Sequence, residues 1–81
     1  MGTKTLSQTI KERKHQYWLQ NDENGHVITV EDHYNDDLAI KAAMRTLIRM
    51  KKNGSAPEHA SLWLSLEPYG ITQIQGFYRK D

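Results

Sequence analysis

Cysteine is absent from the 81 residues. That removes a disulfide framework, a thiolate nucleophile and any cysteine-ligated zinc site. Long apolar runs are missing too: none approaches the roughly 20 residues that a membrane-spanning helix needs, and the first residues lack the apolar stretch of a secretory signal. The expected setting is therefore cytoplasmic. Charge of one sign is scarce, with 11 Lys and Arg against 10 Asp and Glu for a net +1. A strongly basic nucleic-acid wrapper is excluded, although charge gathered on one face still counts. Neither G-x-x-x-x-G-K-[ST] nor G-x-G-x-x-G occurs, so nucleotide cradling has no support and no cofactor is expected.

What is present is thin but patterned. Hydrophobic residues make up 37% of the chain and mean hydropathy is -0.80, yet the apolar residues cluster periodically, as in a small folded domain with a polar exterior. A chain this short buries only about 60 to 65% of its unfolded surface. Residues 1–14 are polar, with Leu6 and Ile10 spaced i, i+4. They read as an N-terminal arm, a short helix or a flexible lead, before a single domain over 15–81.

"YWLQ" and "HVITV" flank "NDENG", whose Asn24-Gly25 pair is a strong hairpin signal because both turn residues must take positive φ. A two-residue loop there sets Leu19 opposite Val30 and Trp18 opposite Glu31. Asn35 followed by Asp36 and Asp37 reads as an N-cap with acids in the first helical turn. The helix runs to Lys52 and stops at Asn53-Gly54. At 100° per residue its apolar stripe holds Ala39, Ile40, Ala43, Leu47 and Met50, bordered by Met44 and Thr46. Lys41, Arg45, Arg49 and Lys52 form the opposite stripe. "SLWLSLE" and "ITQIQGFY" flank the turn "PYG", which sets Trp63 opposite Gln75 and Ser61 opposite Phe77.

Two hairpins with a helix between them predict an α+β fold, ββαββ: a four-stranded, mainly antiparallel sheet with one long helix packed on one face, and the strand around Leu64 in an interior position. One helix covers one side of such a sheet, the side carrying Leu19, Ile28, Val30, Leu62, Leu64, Leu66 and Ile74. Within "SLWLSL" the leucines take that side and Trp63 takes the other. The open side is then expected to display Gln16, Trp18, Gln20, Thr29, Glu31, Ser61, Trp63, Ser65, Ile71, Gln73, Gln75 and Phe77. Two tryptophans in one phase exceed a routine amphipathic pattern, and a one-residue slip in either hairpin would undo it.

Chemistry-bearing constellations are weak. His15, His26, His33 and His59 lie beside acids, as in "EDHYNDD", but none has the short paired spacing that puts two ligands on one metal ion. Glu31, Asp32 and His33 are successive strand residues that point to alternate faces, so they do not converge on a substrate. No catalytic or metal residues are assigned, and the chain is expected not to be an enzyme.

The expected function is that of a non-enzymatic protein-binding module, a small regulator or inhibitor. Trp18, Trp63 and Phe77 are its expected anchors, and Gln20, Gln73 and Gln75 supply hydrogen bonds. The alternative is a single-stranded nucleic-acid binder that stacks bases on the same aromatics, with phosphate or acidic-partner contacts from Lys41, Arg45, Arg49 and Lys52. A homodimer through the sheet face is the third reading, and aromatics packed only against each other or under the N-terminal arm the fourth. The ββαββ outline is similar to that of several small phage-encoded inhibitor proteins, a likeness of architecture that extends to no sequence motif.

Overall fold

The computed structural model describes residues 13–66 and 68–79. Apart from Arg13 and Lys14, the expected N-terminal arm lies outside these residues. Strands β1 (His15–Asn21), β2 (Val27–His33), β3 (His59–Ser65) and β4 (Ile71–Tyr78) and helix α1 (Asp36–Lys52) follow one another as ββαββ. The sheet order is β2-β1-β3-β4 and every neighbouring pair is antiparallel. Each hairpin therefore contributes one inner strand, β3 is interior as its leucines predict, and β2 and β4 form the edges.

Helix α1 has the boundaries its caps dictate. Asn35 is extended (φ -154, ψ 171) and its Oδ1 accepts the Leu38 N–H at 2.9 Å, satisfying one of the free donors of the first turn. Asp36 and Asp37 stand at the positive end of the helix dipole, and Arg49, Lys51 and Lys52 at the negative end. At the C-terminus Gly54 takes φ +74, the Ser55 N–H bonds to the Met50 carbonyl at 2.8 Å and the Gly54 N–H to that of Lys51 at 3.1 Å. That pair of bonds is a Schellman motif.

The core lies between α1 and one face of the inner strands: Tyr17, Leu19, Ala60 and Leu62 from the sheet meet Ala39 and Ala43 from the helix. Helix α1 is rotated relative to the predicted stripe. Ala39, Ala42, Ala43 and Thr46 are its buried residues, whereas Ile40, Leu47 and Met50 are half-buried and Met44 and Ile48 exposed. Small side chains against the large Tyr17, Leu19 and Leu62 let the backbones approach, and the Thr46 hydroxyl is satisfied by donating to the Ala42 carbonyl at 3.1 Å.

Both hairpins differ from the predicted registers. Asn24 does not take positive φ; only Gly25 does, at +75. Instead of a two-residue turn the chain closes with the Asn21 N–H on the His26 carbonyl at 2.8 Å. Side-chain amides supply the loop's bonds: Asn21 Oδ1 accepts the Glu23 N–H and Asn24 Oδ1 the His26 N–H. Leu19 consequently faces Thr29, and Trp18 faces Val30. Ile28 is the extra residue of a bulge between the partners of Leu19 and Gln20. In the second hairpin Leu66 pairs with Gly70 (φ +105), so Trp63 faces Gln73, and a bulge at Ile74 then sets Leu62 opposite Gln75 and Ala60 opposite Phe77.

Candidate functional site

Cross-strand partners in an antiparallel sheet share a face, so the registers define what the side away from α1 carries. Trp18 directly faces Trp63 across the inner strands. The row extends outwards to Val30 on β2 and Gln73 on β4, giving Val30-Trp18-Trp63-Gln73 from edge to edge. On one side of it runs Val27-Gln20-Ser61-Gly76; on the other, Asp32 faces Gln16 and Ser65 faces Ile71. Both indoles are half-buried, whereas Val30 is 56% exposed and Val27 and Ile71 are similarly open.

The polar edge of Trp63 is already engaged. Its Nε1–H donates to Ser61 Oγ at 3.0 Å, and the Ser61 hydroxyl, itself buried, donates to the Asp22 carboxylate. This relay fixes the indole orientation and leaves the ring, rather than its N–H, as the part available for contact. The loop that carries Asp22 is held in turn by the Asp22 N–H on the His59 carbonyl and by the Glu23 carboxylate on the Glu58 N–H. Trp63 therefore stands on a scaffolded surface whose position depends on few soft torsions.

Four of the six expected contact residues share this face: Trp18, Gln20, Trp63 and Gln73. Phe77 and Gln75 do not. Past the Ile74 bulge the alternation of β4 inverts, so Phe77 pairs with Ala60 and packs against the core, and Gln75 pairs with Leu62 on the helix side. The β2 slip likewise sends Thr29 and Glu31 to the helix side and brings Val30 to the open one. Val27 and Val30 are the face residues that pattern reading missed. The one available signal was the pair of amides, Asn21 and Asn24, that favour an Asx-stabilised longer loop.

Lys41, Arg45, Arg49 and Lys52 are all exposed on α1, on the opposite side of the sheet from the indoles. Lys14 lies over the Tyr34 ring, 5.2 Å from its centroid. Two described histidines are held in ring contacts: His33 is edge-on to Tyr17 at 5.8 Å and His59 edge-on to Tyr78 at 4.8 Å. Among the described residues no three His, Asp or Glu side chains group as a metal-ligand set. Among the described residues Tyr17 is the one strongly perturbed group. Burial, then its 2.7 Å hydrogen bond to Asp36 Oδ1 and the charge of that carboxylate, push its phenol far above the usual tyrosine range.

No helix among the described residues is long and apolar enough to cross a membrane. Comparison with protein-family models, with curated proteins and with solved structures finds no match, so the functional reading rests on the geometry alone.

Proposed function

We propose that this chain is a small non-enzymatic protein-binding module, a cytoplasmic regulator or inhibitor, that docks a partner protein on the sheet face away from its helix. The observation that carries the reading is the direct pairing of Trp18 with Trp63, flanked by exposed Val30 and Ile71. Tryptophans at the middle of an apolar patch, with amides around them, have the composition of an interface centre and its rim. Gln20 and Gln73 flank the indoles as hydrogen-bonding groups. Base stacking on the same rings is disfavoured because the phosphates of a bound strand would meet Asp32 near this face, while the helix cations stand on the far side.

The test compares wild type with Trp63→Ser and Trp18→Ser as bait in pull-downs from the native host, alongside tryptophan emission across a dilution series. A protein captured by wild type and lost with either variant is the expected result. Capture that survives both substitutions refutes the reading. A blue shift that grows with concentration and vanishes with Trp63→Ser assigns the face to self-association instead. Binding of single-stranded oligonucleotides that weakens as salt rises would assign it to nucleic acid.

A further inference from the structure

The rotation of α1 leaves a second feature, on the other side of the sheet. Helix α1 packs on β2 and β3, and its C-terminal half stands clear of the helix-side face of β4. Between them lies a groove of about 650 Å³, lined by Met44, Leu47 and Ile48 of α1, by Ala60 and Phe77 of the sheet, and by Pro57. Met44 and Ile48 are 49% and 54% exposed, although apolar residues of α1 are what a core would take first.

The charge beside this groove is of one sign along the helix. Between Lys41 and Lys52 the sequence has five cations and no acid. Lys41, Arg45 and Lys52 stand at i-7, i-3 and i+4 from Ile48 and so share its side of α1. They form a positive rim about 16 Å long, taking the rise per residue of a helix. Lys51 lines the groove itself. On the β4 side Arg79 also lines it, holding the Ala56 carbonyl at 2.8 Å and the Glu58 carboxylate at 3.5 Å.

We infer that this groove receives an acidic amphipathic segment of another protein. Two or three large apolar side chains of that segment enter between α1 and β4, and its Asp and Glu residues meet the rim of Lys41, Arg45 and Lys52. A helix of about three turns matches the rim in length. Charge decides against the alternatives. A second copy would bring its own positive rim against this one, and like charges in register across an interface are unfavourable. A flat anionic membrane would satisfy the cations but could not reach the recessed Phe77 and Ala60. The site is separate from the tryptophan face, so occupancy of one does not require the other.

The probe is a displayed library of random 15-residue peptides panned on the whole chain, with selected peptides then made synthetically and titrated by fluorescence anisotropy. The expected consensus has an excess of Asp and Glu and apolar residues spaced i, i+3 or i+4, i+7. Affinity should fall about tenfold or more with Ile48→Glu, and by a smaller factor with the charge reversal Lys52→Glu or with added salt. It should be unchanged in Trp18→Ser/Trp63→Ser, which separates this inference from the sheet-face reading. Ile48→Gln removes the apolar contact without adding charge, in case the glutamate perturbs folding. Five outcomes overturn the inference: no enriched consensus, a neutral or basic one, loss of binding only in the tryptophan variants, anionic vesicles binding with the same Ile48 dependence, and a dimer that Ile48→Glu dissociates.

Discussion

Replacing Tyr17 with Phe keeps the ring in the core and removes one hydroxyl. Tyr17 is only 2% exposed, and its hydroxyl donates to Asp36 Oδ1 at 2.7 Å, tying β1 to the first turn of α1. A hydrogen bond to an ionised acceptor contributes about 1.5 to 3 kcal/mol, and Asp36, being solvent-exposed, recovers part of that from water when the partner is lost. Tyr17→Phe should therefore cost about 1 to 2 kcal/mol at pH 7. For 81 residues the whole stability is of order 4 to 12 kcal/mol, so the loss is measurable by urea unfolding followed by circular dichroism.

The pH dependence supplies the sharper check. In the unfolded chain Tyr17 ionises near its ordinary value of 10.0, whereas in the folded protein it stays protonated well above that. Above pH 10 the unfolded state thus binds fewer protons than the folded one, and stability falls as pH rises, by up to about 1.4 kcal/mol per pH unit. The contribution is fully present below pH 10 and lost through the alkaline range. Tyr17→Phe lacks the group and this slope, so the two stability curves should converge and meet roughly one pH unit above 10. Parallel curves from pH 7 to 12, or a variant as stable as wild type at pH 7, would refute the assignment.

Three further expectations follow from the packing and the caps. Leu19, fully buried under α1, should cost about 3 kcal/mol on replacement by Ala, seen as a lower urea midpoint with unchanged slope. Asn35→Ala removes the N-cap acceptor of the Leu38 N–H and should cost about 1 kcal/mol in the same assay. The two glycines should part company: Gly54→Ala forces a side chain into φ +74 and destabilises by about 1 kcal/mol, whereas Gly76 has ordinary backbone and only 3.5 Å and 3.9 Å neighbours, Gln73 Nε2 and Tyr78 Cε2, so Gly76→Ala should be neutral or stabilising. A destabilisation at Gly76 equal to that at Gly54 would contradict the observed geometry.

How much could be read beforehand followed from where the determinants lie. Helix α1 is bounded by its own residues, Asn35, Asp36, Asp37 and Gly54, so local chemistry settled it. The facing of Trp18, Leu19, Leu62 and Trp63 was equally legible, because alternation along one uninterrupted strand needs no partner. Pairing between strands was less so. Asn24-Gly25 in isolation favours a tight turn, but Asn21 offers a competing Asx bond to Glu23, and the longer loop moves β2 by one position. The bulges at Ile28 and Ile74 leave no mark in hydrophobic spacing: both side chains reach the core, as alternation alone would have them do. Phe77, three residues beyond the second bulge, therefore lands on the helix side of the sheet. The rotation of α1 was hidden for a different reason, since Ala42 and Thr46 are inward for their small size rather than their hydrophobicity.

The strand order places a long-range seam at the middle of the molecule. Each hairpin closes locally, but β1 meets β3 only after the intervening helix segment has been looped back, and that closure is the entropically slow one. Trp18 and Trp63 come from the two sides of the seam and become cross-strand partners only once it has formed. Their half-buried indoles make tryptophan emission an intrinsic clock for assembly: its change should lag the far-ultraviolet signal of α1 during refolding, with no label added.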